Sequence, residues 1–208
     1  MSPQHENFDD EPIMAHNPDE NKAALFTSYN TFQEFLMAGN ACFTLLSKKS
    51  GNHFTFRLRR AKGNIDNKNA PLFVYVLNGK NGIKSYRHIG TVFIENSNEF
   101  GTKMQFNPNR NLLEASSLRA FEYAFRFISK LDMPKDCEVW GSGRCGRCNR
   151  ILTNPDSITI GFGVECIRFT KWYQILENSA NNMMSRKTEA QKLAAVHTAL
   201  LDIAAVRD

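Results

Sequence analysis

Cys145 and Cys148 form a Cys-x2-Cys pair in GRCGRCNR, and Cys166 follows after seventeen intervening residues in GFGVEC. Thiolates so spaced suit a tetrahedral zinc ion, because a tight turn aims two sulfurs at one metal and Gly146, Gly161 and Gly163 supply backbone freedom on both sides. A disulfide framework fits less well, since the chain has five cysteines, an odd number, and neither a secretory signal nor a membrane span is expected from its pattern. A closed site needs a fourth ligand. Cys137, eight residues before Cys145, is the favoured one. Asp156 is weaker, because NPDS reads as a capping turn. Water in that position would open the site in the catalytic manner, yet no Glu or His stands at a spacing suited to a zinc-dependent general base, so a structural site is expected. Cys42, alone in ACFTLL, reads as a small buried hydrophobe.

Positive charge is segregated. Residues 41–90 hold ten Lys and Arg against Asp66 alone, whereas residues 1–20 hold six carboxylates and no Lys or Arg, within a net charge of +5. Arg57 and Arg59 alternate with apolar residues in HFTFRLRR and share one strand face; Arg60 and Lys62 follow, and Lys84 and Arg87 flank Tyr86 in the next hairpin. Arg144, Arg147 and Arg150 stud the cysteine module. Guanidinium forks meet phosphates and rings meet bases, so the pattern suits nucleic acid, single-stranded or structured. Solvated strand faces are also rich in Lys and Arg simply to block edge pairing. Phe54, Phe56, Phe73, Tyr75 and Trp140 read as core, which leaves Tyr86 and His88 as surface rings. The segregation of charge tips the reading toward nucleic acid.

The elements that must carry these groups follow from periodicity. MSPQHENFDDEPIMAHNPDEN has no apolar period, and residues 1–21 are expected to be disordered. Its carboxylates could compete with nucleic acid for the basic sheet. Leu25, Phe26, Phe32, Phe35 and Leu36 predict a helix over 22–37. Period-two runs at 41–47, 53–60, 71–79 and 83–95, with a shorter one at 101–106, predict an antiparallel sheet of four to five strands. SSLRAFEYAFRFISKL, residues 116–131, predicts an amphipathic helix capped by Ser116 or Ser117. Residues 137–140 form a short extended piece, and IRFTKWYQIL a short helix. TEAQKLAAVHTALLDIAAVR opens on a capping box and predicts a C-terminal amphipathic helix. The fold class is therefore α+β: a helix-packed sheet with a small zinc knuckle. Its divisions are 1–21 as an acidic tail, 22–135 as a basic domain, 136–178 as the zinc-binding module, and 179–208 as linker and last helix.

The module resembles a short zinc-binding domain of unknown function common in bacteriophage-encoded and bacterial proteins. Cys145, Cys148, Arg150, Leu152, Thr153, Pro155, Ser157, Gly161, Gly163 and Cys166 carry that resemblance, which upstream words such as FVYVLNG and CEVWGSGRCGRC extend over residues 40–167. Asn149 stands where Gly is usual, Val164 where Pro is usual, and Gly141 where relatives have a His. The resemblance implies a phage accessory protein in the host cytoplasm. Two functions follow as expectations: nucleic-acid binding, or docking on a host protein to inhibit it. An enzyme ranks lowest, because no phosphate loop, His-x-Glu, carboxylate pair or nucleophile elbow is present.

Overall fold

Gly39, with φ of 96°, turns the chain from its first helix, α1 (Tyr29–Met37), into β1 (Asn40–Ser47), a left-handed conformation that glycine adopts without a Cβ clash. From there the alternating runs fold back on one another as β2 (His53–Arg59), β3 (Leu72–Lys80), β4 (Ile83–Asn98), β5 (Gly101–Pro108) and β6 (Cys137–Gly141). A computed structural model describes residues 23–61, 63–80, 83–98, 101–171 and 173–175, with Gln191, Ala194 and Thr198. The acidic N-terminal segment and most of the expected C-terminal helix lie outside the described residues.

All six strands join one antiparallel sheet in the order β5-β4-β3-β2-β1-β6. Four or five strands were expected. The sixth arises because the short piece before the cysteine module returns across the fold to pair with β1, from Phe43 opposite Gly141 to Ser47 opposite Cys137. The first helix is shorter than its periodicity predicts. Residues 24–26 are extended instead: Phe26 N–H donates to Val139 O at 2.9 Å, and Gly141 N–H donates to Ala24 O at 2.8 Å. That segment covers the outer edge of β6, which would otherwise present unpaired backbone groups.

The second helix, α2 (Ser116–Ile128), begins one residue earlier than a serine cap allows. Ala115 holds the cap position without a side-chain bond, and both serines fall inside the first turn. Its buried stripe of Leu118, Phe121, Ala124 and Ile128 lies on the sheet, with Phe121 5.3 Å from Phe56 and 4.8 Å from Phe106 between ring centroids. Phe32 of α1 meets Phe43 edge-on at 5.2 Å. Each fully buried Phe contributes about 1.5–3 kcal/mol relative to exposure. The core continues into the cysteine module, where Ile160, Phe162, Ile167 and Tyr173 belong to the same buried cluster as Phe35 and Phe43.

Candidate functional site

The cysteine module is assembled by backbone constraints readable residue by residue. Arg144 and Ile151 form an antiparallel bridge, and between them Cys145 N–H donates to Arg150 O and Asn149 N–H donates to Cys145 O, both at 2.9 Å. Asn149 has φ of 62°, the left-handed region that Asn adopts more readily than most residues, so it suits the turn. The helix α3 (Pro155–Ile160) starts on Asn154, whose side-chain oxygen accepts from Asp156 and Ser157 N–H, and stops on Gly161 at φ of 78°. A turn after Gly163 then brings in the third cysteine, with Cys166 N–H donating to Gly163 O at 2.9 Å.

These turns bring the Sγ atoms of Cys145, Cys148 and Cys166 within 4.8 Å of one another, with Cys145 buried, Cys166 half-buried and Cys148 exposed. A tetrahedral ion bound by thiolates at about 2.3 Å spaces its sulfurs about 3.8 Å apart. The three cysteines are therefore a possible metal site needing only slight contraction. The Cys145 thiol is pulled down to about 5, first by its hydrogen bond with Cys166 and then, against its own burial, by the N–H groups of Cys148, Gly163 and Arg147. Cys166, on the other side of that bond and itself half-buried, is pushed up. One sulfur of the cluster is thus held as thiolate by fixed donors, as a metal ligand requires.

Cys137 does not join them. Gly146, inside the cluster's turn, accepts from Asn40 N–H at the start of β1, whereas Cys137 pairs with Ser47 at the other end of that eight-residue strand, roughly 23 Å away along extended chain. The short gap to Cys145 cannot loop back to bring Cys137 to the cluster, because β6 (Cys137–Gly141) takes up most of it. Asp156 also lies outside the cluster, exposed on α3. Among the described residues, no fourth His, Cys, Asp or Glu meets the three sulfurs.

The module is fastened to the sheet by close contact. Gly146 N–H donates to Gly161 O at 2.9 Å, and a Cβ at either glycine would stand 2.7 or 2.5 Å from the Phe35 ring. Gly141 is similarly filled, because a Cβ there would meet the Phe26 ring at 3.2 Å.

Three arginines expected to face nucleic acid have structural duties instead. Arg60 is 3% exposed, and its guanidinium donates to Met37 O and Lys68 O, tying α1 to the β2–β3 loop; burial pushes it down to about 10, partly opposed by Asp66. Arg144 is buried and donates to Asn149 O at 3.0 Å, bracing the cysteine turn. Arg147 pairs with Asp66 and lies 3.7 Å over the Phe169 ring. Sequence alternation cannot separate Arg60 and Arg147 from solvent-facing cations, because their partners Met37, Lys68, Asp66 and Phe169 come from other parts of the fold. Arg150 is exposed. Arg87 is exposed opposite Val76, on the side of the sheet that carries the core, and not beside Tyr86. Lys84 pairs with Gly79 through its backbone, and its side chain lies outside the described residues.

Arg57, Arg59 and Tyr86 do share a face, the one opposite Phe43 and Phe56. Cross-strand register places Cys42, Arg57, Tyr75 and His88 in one row over β1 to β4, and Arg59, Phe73 and Thr91 in the next. Phe73 and Tyr75, expected in the core, are both half-exposed; their alternation with buried Leu72, Val74 and Val76 along β3 is the signal that places them on the other face. Cys42 and Tyr86 sit on strands about 14 Å apart in a flat sheet. Their Sγ and hydroxyl nonetheless lie 3.5 Å apart, so the sheet curls and this face is concave. The Arg57 guanidinium lies 5.8 Å from the Tyr86 ring centre and donates through Nε to Asn40 Oδ1 at 3.1 Å.

A family model described as Family of unknown function (DUF6011) matches residues 141–168, from the last residue of β6 to just past Cys166. No curated protein and no solved structure matches the chain. Among the described residues, no helix is long and apolar enough to cross a membrane.

Proposed function

We propose that the chain is a nucleic-acid-binding protein in which zinc, held by Cys145, Cys148 and Cys166, locks the cysteine module onto α1 and β1 while the concave sheet face meets the ligand. An all-thiolate donor set within 4.8 Å favours zinc over harder ions. The ion's contribution is structural: it fixes a turn whose glycines abut Phe35, and so fixes the start of β1. The fourth position belongs to a group other than Cys137. The observation that carries the ligand reading is the concave face itself, where Arg57 and Arg59 stand beside half-exposed Phe73, Tyr75, Tyr86 and His88. Cations at that site would displace counterions from phosphates, so affinity should fall steeply with salt.

The test is fluorescence anisotropy of labelled DNA and RNA, single- and double-stranded, against the zinc-loaded full chain at rising salt. Binding that weakens linearly in log–log form supports the reading; absence of binding at low salt defeats it. A second reading, docking on a host protein by a phage-encoded chain, is favoured by the exposed Ile151, Val164 and Phe169 of the cysteine module. It would show as a pull-down partner lost on Phe169→Ser with oligonucleotide affinity unaltered.

A further inference from the structure

We infer that the concave face takes unpaired bases, stacking them on the rings of Phe73, Tyr75, Tyr86 and His88 while Arg57 and Arg59 hold the intervening phosphates. This rests on the nucleic-acid reading above and specifies its ligand as a flexible single strand. Three of the rings form a connected set. Tyr75 lies 5.4 Å and Phe73 6.2 Å from His88 between centroids, and Tyr86 reaches across the curl to Cys42. Farther along the same face of β4, Phe93 is 42% exposed. None of the four rings is buried in the manner of Phe43 or Phe56, which have 0% exposure on the opposite face.

A duplex keeps its base faces stacked inside, so rings on a concave sheet can engage only bases that have left the stack. The cations alternate with the rings at sheet spacing: Arg57 is the lateral neighbour of Tyr75, and Arg59 of Phe73. Backbone and base contacts can thus be made side by side by one strand crossing β2 to β4. Burial pushes His88 down from the usual imidazole range, which leaves it a neutral stacking ring at pH 7 and assigns the charge to the arginines.

The test uses the zinc-loaded full chain and three probes of equal length: oligo(dT), the same backbone with abasic residues, and a duplex. The expected result is oligo(dT) bound at least about tenfold more tightly than the abasic strand, with equal salt slopes for the two strands and weaker duplex binding. Tyr75→Ala, verified as folded by circular dichroism, should bring oligo(dT) toward the abasic affinity and leave the abasic affinity unaltered. Equal affinity of the unmodified protein for the base-bearing and abasic strands overturns the stacking inference while leaving charge-driven binding standing, as does a preference for the duplex. Failure to bind any probe at low salt instead overturns the reading beneath it.

Discussion

Replacing Cys148 by Ser should strip the metal, and replacing Cys137 by Ser should not. Structural zinc in thiolate-rich modules binds with an apparent free energy of about 10–16 kcal/mol at neutral pH. Spread over three thiolates, the loss of one costs about 4 kcal/mol, roughly a thousandfold in Kd. Cys148 is the most exposed of the three, so its substitution perturbs packing least and isolates the coordination effect. Cys137 sits opposite Ser47, at the end of β1 away from the cluster, and cannot reach the ion. Competition against a chromophoric chelator reads affinity, and thermal melts with and without chelator read the coupled loss of structure. Metal release by Cys137→Ser on the scale of Cys148→Ser would refute the reasoning, since it would require β6 to leave its register with β1.

Gly161→Ala combines a left-handed φ of 78° with a Cβ 2.5 Å from the Phe35 ring, and should cost about 2–4 kcal/mol in denaturant unfolding. Arg60→Ala removes donors to two backbone carbonyls; it should cost about 3 kcal/mol of stability and leave oligonucleotide affinity, corrected for the folded fraction, unaltered. Metal affinity should rise with pH. Cys166 carries its proton in the metal-free protein because its pKa is raised, so that proton must leave on binding and is regained as pH falls; calorimetry in buffers of differing ionisation enthalpy counts the release.

The strands were legible because alternation is local: HFTFRLRR already separates Phe56 and Leu58 from Arg57 and Arg59. The three-cysteine cluster was legible too, because its turns are set by residues within a few positions of each sulfur. What could not be read is everything decided by distant partners. Leu25 and Phe26 match a helical period, yet Leu25 bridges to Trp140 and Phe26 N–H donates to Val139 O, both in β6. Cys137 is close to Cys145 in sequence, but strand pairing with Ser47 carries it to the far end of the sheet. Arg60 looked like its neighbours Arg57 and Arg59, and became a buried brace only because α1 and the β2–β3 loop close over it. Phe73 and Tyr75 lie on opposite sides of Val74, which is buried on the core face, so alternation alone puts both rings on the other face. Their hydrophobicity points to the core while their alternation points away from it, and the curl of the sheet, which makes that face a concave surface, has no local signature at all.

The decisive measurement is the salt dependence of oligo(dT) binding for the zinc-loaded chain and its Arg57→Ala, Arg59→Ala double variant. Each single-strand phosphate contact contributes about 0.7 to the slope of log affinity against log salt. The concave-face account predicts weaker binding and a slope shallower by about 1.4 in the double variant. A slope and affinity equal to those of the unmodified protein would contradict it.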